Sequence, residues 1–167
     1  EIIDYAFTGG DLYEELLLGP AYSIAEVLIK NNMTLDDIDV FEIHEAFAGQ
    51  VLSVIKALKS AEWCKKQLGI DQPIGQIPMD KVNQWGGSLA IGHPFGATGG
   101  RLVTMAANRL QHGGGKYAIL AACAAGAHGH AMLIKRYETT EQKVKTVAKN
   151  VIEKAEEKLE DLKQKIK

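Results

Sequence analysis

The chain is poor in cysteine: its 167 residues include only Cys64 and Cys123, and no Cys-x-x-Cys spacing occurs. A disulfide framework is thereby disfavoured, and a reducing compartment fits. Neither sign of charge dominates, the formal net charge being −2 and the sequence pI about 6.2, so there is no basic footprint for nucleic acid. No stretch approaches the roughly 18 apolar residues that a membrane span needs. No glycine loop ends in Lys-Ser/Thr, and no Gly-x-Gly-x-x-Gly follows a strand with a trailing acid, which counts against nucleotide binding. Glu1 rather than Met at the amino terminus raises the expectation of a processed, cleaved or partial start, with any targeting segment out of view. The 46% hydrophobic content is enough for one ordinary core.

Against these absences, residues 86–101 are conspicuously rich in glycine. Gly86, Gly87, Gly92, Gly96, Gly99 and Gly100 surround a single His93-Pro94 step. Glycine loses more backbone freedom on folding than any other residue, so such a loop must gain something from positive φ or from close approach to another group. His93 is the only ionisable side chain between Lys81 and Arg101, and an imidazole can serve as base, acid or neutral donor near pH 7. A flexible loop carrying a solvated histidine is the alternative reading.

The remaining pattern predicts an α/β layout. Ile2–Phe7 reads as a strand, and Ile24, Val27 and Leu28 have helical spacing after Gly19-Pro20. Thr34–Asp37 starts a short turn, Val40–Ile43 alternates like a strand, and Ala46–Leu58 reads as a helix. Ser60 is a candidate cap for a short helix with Trp63 and Cys64 that ends at Gly69, and residues 70–85 read as loop. Leu102–Leu110 forms a helix apolar on most sides, which predicts burial all round, before Gly113-Gly114-Gly115. Tyr117–Cys123 is a continuous apolar strand, and Ala131–Ile134 can pair back on it.

Residues 138–167 differ in kind. Ala148, Ile152, Ala155, Leu159, Leu162 and Ile166 make a heptad seam, flanked by Glu141 with Lys145 and Asp161 with Lys165 at i,i+4. The expectation is a domain over 1–137 and an amphipathic helical tail over 138–167. Two and a half heptads are marginal alone, so the tail is expected to dock on a partner, a solvated helix being the alternative.

His44-Glu45 after a strand, His93 in the glycine loop and Cys123 at the end of an apolar strand all fall at carboxyl ends of strands, where α/β sheets gather ligand sites. A histidine near a cysteine suggests acyl or proton-transfer chemistry. A small buried hydrophobe and a turn residue are the plainer roles for Cys123 and His44. His128 and His130 with His93 lack the further ligands of a metal site, and no metal is expected.

His44-Glu45-Ala46-Phe47, the run Gly92-His93-Pro94-Phe95-Gly96-Ala97-Thr98-Gly99, and Cys123-Ala124-Ala125-Gly126-Ala127-His128-Gly129 resemble the three signature blocks of the carboxyl-terminal half of thiolases. The likeness covers residues 2–137. It implies the carboxyl-terminal half of a thiolase-like fold, a mixed sheet with helices on both faces. It further implies that His93 activates a nucleophilic cysteine and points a ring nitrogen at the thioester oxygen, with a water held by His44. Cys123 would be the acid/base at the α-carbon of acetyl-CoA, and the Ala125 N–H would help form a second oxyanion hole. Gly92, Gly96, Gly99 and Gly126 would support the loops. A coenzyme A thioester would be the substrate, with no further cofactor, and the compartment would be the mitochondrial matrix, or the cytoplasm if the source is bacterial.

Two departures accompany the resemblance. Ala127 and His128 stand where related sequences usually have Gly and Gln or Leu, and a non-glycine residue at positive φ would cost on the order of 1 kcal/mol or more. The thiolase nucleophile belongs to an amino-terminal half that has no counterpart here, and Cys64 sits in the wrong context to replace it. The resemblance also implies that the first, central strand of the sheet and its helix are missing, leaving open backbone. Two functions follow as expectations. In one, the chain is part of a 3-ketoacyl-CoA thiolase of fatty-acid β-oxidation, with another polypeptide supplying the nucleophile. In the other, it is a non-catalytic thiolase-derived structural subunit of a larger assembly, which the resemblance would place in mitochondria.

Overall fold

A computed structural model describes residues 1–140 and, beyond them, 144, 148, 151, 152, 154–156 and 158. Residues Glu1–Arg136 form one compact unit and Tyr137–Lys167 a second.

The first unit opens with strand β1 (Ile2–Gly9) and helix α1 (Gly19–Lys30). Pro20 sits in the first turn of α1, where its missing N–H is no loss. Gly19 is there for space: a Cβ at this position would run into the backbone of Gly129, and one at Gly129 would strike the Gly19 carbonyl. The helix ends where Asn31 turns its amide back on the Val27 carbonyl at 2.8 Å while also donating to Asp4 at 2.9 Å. Thr34 and Asp37 then form a capping box around a single 3-10 turn, Leu35–Asp37.

Strand β2 (Val40–Ile43) and helix α2 (Ala48–Lys59) follow. Helix α3 (Ala61–Trp63) runs into one π-helical turn, Cys64–Leu68. The Ser60 hydroxyl accepts from the Trp63 N–H at 3.1 Å, and Gly69 takes φ +70° at the exit, so the expected cap and stop both occur. Four-residue helix α4 (Ser88–Ile91) precedes the long helix α5 (Thr98–Gly113), and strands β3 (Tyr117–Ala124) and β4 (His128–Lys135) close the unit.

The sheet order is β1-β4-β3-β2. β1 pairs antiparallel with β4 from Ile2↔Ile134 to Gly9↔His128, β4 antiparallel with β3, and β3 parallel with β2. This corrects the expected vacancy at the centre: β1 is an outer strand, and every neighbouring pair is hydrogen-bonded. The pairing of residue 2 with residue 134 closes the whole domain on itself.

Alternation along β3 and β4 divides the core between two faces. Ile119, Ala121 and Leu133 pack with Ile24, Leu28, Phe41, Val54 and Leu58 beneath α1 and α2. Ala118, Leu120 and Ile134 pack with Leu102, Ala106 and Leu110 of α5 on the other side. Helices on both faces of a mixed sheet are the expected layout. Helix α5 is corrected, however. It buries Thr98, Leu102, Ala106, Arg109 and Leu110, whereas Thr104, Ala107 and Asn108 are exposed, so it covers the sheet with one side only.

In the second unit, Ala148, Ile152 and Ala155 are helical and exposed. Leu159, Leu162 and Ile166 of the expected seam, and both expected ion pairs, lie outside the described residues. Among the described residues, no helix is long and apolar enough to cross a membrane.

Candidate active site

β2 is the outer strand on its side, and its open backbone is dressed by the loop ahead of α4. Val82 bridges to Phe41, and the Asn83 N–H donates to the Phe41 carbonyl at 3.0 Å. Asn83, at φ +45°, then uses its side chain as a false strand: Oδ1 accepts from the Ile43 N–H and Nδ2 donates to the Ile43 carbonyl, both at 2.8 Å. The same Nδ2 donates to Glu45 Oε1 at 2.7 Å. The other Glu45 oxygen accepts from the Leu89 N–H at 3.0 Å, at the first turn of α4. Gly87 leaves room for this carboxylate, since a Cβ there would overlap it.

The glycine-rich segment is thus pinned to the residue that follows His44. His44, only 4% exposed, and His93, exposed in the loop beyond α4, come together with ring centroids 4.2 Å apart. His44 Nδ1 lies 2.9 Å from Ser88 Oγ, and that oxygen accepts from Arg101 Nη2 at 2.7 Å. His93 Nδ1 lies 2.7 Å from Thr98 Oγ1. The Thr98 hydroxyl has its own acceptor in the Pro94 carbonyl at 3.4 Å, which leaves an oxygen lone pair for the ring and the outer nitrogen, Nε2, free as a base.

Cys123 is the last buried residue of β3. The His44 N–H donates to the Ala121 carbonyl at 2.8 Å, so the His44 backbone is tied to β3 two residues before Cys123. Among the described residues, the Cys123 thiol makes no hydrogen bond to either ring; the structure joins the two histidines directly and brings the cysteine to the same end of the sheet. Ala125, Gly126 and Ala127 form the β3–β4 turn, with Gly126 at φ +95° and Ala127 at φ +57°. Gly92 and Gly96 also have positive φ. Gly99 does not: it lies within α5, and a Cβ there would meet nothing within 4 Å.

Burial sets the charge states. It holds His44 below the ordinary imidazole value, aided by the electrostatic influence of His93 and Arg101 and opposed by Glu45. Burial likewise pushes the Cys123 thiol up and His130 down. Cys123 is therefore a thiol at neutral pH, a proton donor rather than a standing nucleophile. For the two histidines the unfolded chain takes up protons first, near pH 6.5. Stability must therefore fall as pH drops below that value. We expect a lower Tm at pH 5.5 than at pH 7.5, and a flatter pH dependence in His44→Asn and His130→Asn.

Ala127 tests the cost of the altered turn. Its left-handed backbone costs about 1–2 kcal/mol, but its methyl is fully buried and contributes about 0.8 kcal/mol, with a further 0.5–1 kcal/mol or so from lower backbone entropy than glycine. Ala127→Gly should therefore change stability by less than about 0.5 kcal/mol, whereas Ala121→Gly in β3 should cost about 1 kcal/mol or more. Urea titration of the two variants checks this.

Arg109 and Glu42 escaped sequence reasoning. Arg109 Nη1 meets Glu42 Oε1 at 2.5 Å, with side-chain exposures of 3% and 0%. The guanidinium also donates to the carbonyls of Phe41 and Lys81 and to Gln84 Oε1 at 2.9–3.1 Å. It joins α5, β2 and the loop that carries Asn83. A charge of each sign inside an apolar strand and an apolar helix was the available signal. Among the described residues, no group of three His, Cys, Asp or Glu side chains is placed to hold a metal.

The α/β domain thus gathers two histidines, a buried thiol and a glycine-rich turn at one end of its sheet. Residues 1–136 match the family described as "Thiolase, C-terminal domain", and the chain belongs to the thiolase family. It is 56% identical over 134 residues to a probable 3-ketoacyl-CoA thiolase of Caenorhabditis elegans, covering 80% of this chain and 30% of that one. It is 51% identical to the mitochondrial trifunctional enzyme subunit beta of Bos taurus, covering 80% and 28%. The crystal structure of human mitochondrial 3-ketoacyl-CoA thiolase in complex with CoA superposes with a TM-score of 0.66 at 32% identity, over 82% of this chain and 30% of that one. The chain thus spans about a third of the length of these relatives and corresponds to their carboxyl-terminal portion.

Proposed function

We propose that the chain supplies the carboxyl-terminal portion of a 3-ketoacyl-CoA thiolase of fatty-acid β-oxidation, acting on a coenzyme A thioester together with an amino-terminal thiolase portion that provides the nucleophilic cysteine. The observation that carries this reading is the His44–His93 pair, 4.2 Å apart and fixed at the sheet end by Glu45 and Ser88.

The roles follow from the chemistry of each group. His93 takes the proton of the incoming cysteine thiol, whose sulfur adds to the ketone carbon of the substrate. The Ala125 N–H helps stabilise the resulting tetrahedral oxyanion; one such donor is worth about 2.7–4 kcal/mol. The carbon–carbon bond then breaks toward an enolate of acetyl-CoA, whose thioester oxygen is held by His93, now protonated, and a water on His44. The Cys123 thiol protonates its α-carbon. The coenzyme A thiol then gives its proton to the Cys123 thiolate while its sulfur takes the acyl group, and the departing cysteine thiolate recovers its proton from His93. No cofactor beyond the thioester substrate is required, and the mitochondrial relatives support a matrix location. The tail is proposed to dock on a partner of the assembly.

The test mixes the full chain with the amino-terminal portion of a 3-ketoacyl-CoA thiolase and follows thiolysis of a 3-ketoacyl-CoA. Turnover in the mixture, and in neither part alone, is the expected result. An assembled complex without turnover would establish the non-catalytic reading, which the strained Ala127 turn favours.

A further inference from the structure

The proposed reaction needs two histidines with opposite duties, one accepting a proton and the other offering one. Nothing in the ring of His44 decides which nitrogen carries its proton. The decision is made by what Nδ1 meets, and Nδ1 meets a hydroxyl whose own options are limited.

Ser88 is 8% exposed, and its Oγ has a single proton to give. Arg101 can only donate, and its Nη2 lies 2.7 Å from that oxygen. One lone pair of Ser88 is therefore taken. If His44 also donated from Nδ1, the serine oxygen would accept twice and its proton would have to find a third partner in a buried place; among the described residues, no other acceptor lies near Ser88 Oγ. A buried unpaired donor costs about 1–3 kcal/mol, so the arrangement that leaves none has the serine proton on His44 Nδ1 at 2.9 Å. Arg101 is well suited to hold this direction. Its Nη1 reaches only the Met105 sulfur and its buried Nε has no partner, so Ser88 is its one oxygen contact among the described residues.

We propose that Arg101 and Ser88 are positioning residues that hold His44 as the neutral ring with its proton on Nε2, facing the site as a donor. Arg101 acts through Ser88 and touches no reacting atom. The neighbouring ring is wired in the opposite sense: the Thr98 hydroxyl has the Pro94 carbonyl for its proton and can accept from His93 Nδ1. The pair thus presents one donor and one acceptor side by side. The catalytic consequence rests on the thiolase reading above, whereas the proton placement on His44 does not.

The experiment is long-range 1H–15N correlation of the imidazoles in the 15N-labelled 167-residue chain near pH 7.5, without substrate. His44 is expected with its proton on Nε2 and with Nδ1 shielded by the hydrogen bond it accepts. Ser88→Ala should move the Nδ1 resonance downfield toward a free acceptor, and Ser88→Thr should retain the native value. Arg101→Met frees the serine to turn and should shift the same resonance part of the way, while the double variant should match Ser88→Ala alone, because the arginine acts through the serine. A native ring protonated on Nδ1, an Arg101→Met spectrum with unchanged His44 resonances, or additive shifts in the double variant would each overturn the proposal. If Ser88→Ala does not fold, the Arg101→Met and Ser88→Thr spectra decide it.

In the mixture with the amino-terminal thiolase portion, Ser88→Ala should lower kcat about tenfold with KM changed less than about twofold. Loss of positioning shows in kcat, whereas a change in binding shows in KM. A mixture that never turns over, with the His44 proton on Nε2, would overturn the thiolase reading and leave the proton placement standing.

Discussion

Arg109→Met should destabilise the Glu1–Arg136 unit by about 3–5 kcal/mol, the range for removing one partner of a buried ion pair. Glu42 is fully buried, its Oε1 rests on Arg109 at 2.5 Å, and among the described residues its Oε2 has no hydrogen-bond partner. Without the guanidinium the carboxylate would have to stay charged in the core or take up a proton. Burial already pushes this carboxyl upward against the pull of Arg109. The substitution also releases the carbonyls of Phe41 and Lys81 and the Gln84 side chain, so the loop bearing Asn83 should loosen with the core. The paired change Glu42→Gln with Arg109→Met should recover much of the loss, since no buried charge then remains. Denaturant unfolding of the single and double variants reads this directly. Equal destabilisation in both would show that packing, not charge, is what Arg109 provides.

In the assembled thiolase, His93→Ala should lower kcat for thiolysis by about 10²–10⁴-fold, the usual span for loss of a positioned acid–base group. The same change should leave the fold nearly intact, because His93 is exposed and, among the described residues, its ring meets Thr98, His44 and Phe95. Initial rates with a 3-ketoacyl-CoA, set beside thermal unfolding of the same preparation, separate the two effects. A fall in kcat with an unchanged Tm is the expected pair of results.

The parts of this site that are legible in the sequence are those whose residue types are costly unless used. A glycine run around one histidine, a histidine at the end of a strand and a cysteine closing an apolar run stand out in the sequence, and the fold brings all three to one end of the sheet. Short-range signals held too: the Thr34–Asp37 box, the Ser60 cap and the stop at Gly69 depend only on neighbours a few residues away. What is not legible is set by distance along the chain. The pairing of Ile2 with Ile134 has no local signature, and the vacant centre that the resemblance implies is overturned by β4, which lies between β1 and β3. Helix α5 is not buried all round because only one of its sides meets the sheet, leaving Thr104, Ala107 and Asn108 exposed, and the use of Arg109 is hidden because its partners are Glu42 on β2 and a loop far from it in sequence. The same holds for Asn83, whose side chain replaces a strand at Ile43, forty residues away.

The central proposal is that residues 1–136 carry the base and donors of an acyl-transfer site whose nucleophile lies in the amino-terminal portion of a thiolase. The most direct measurement is the structure of the assembled complex with the amino-terminal thiolase portion, reading the distance from His93 Nε2 to the nearest cysteine sulfur of the other polypeptide. The account predicts a sulfur within about 4 Å, close enough for proton transfer once the hydrogen bond tightens. An assembled particle in which that position beside His93 holds no cysteine would contradict it.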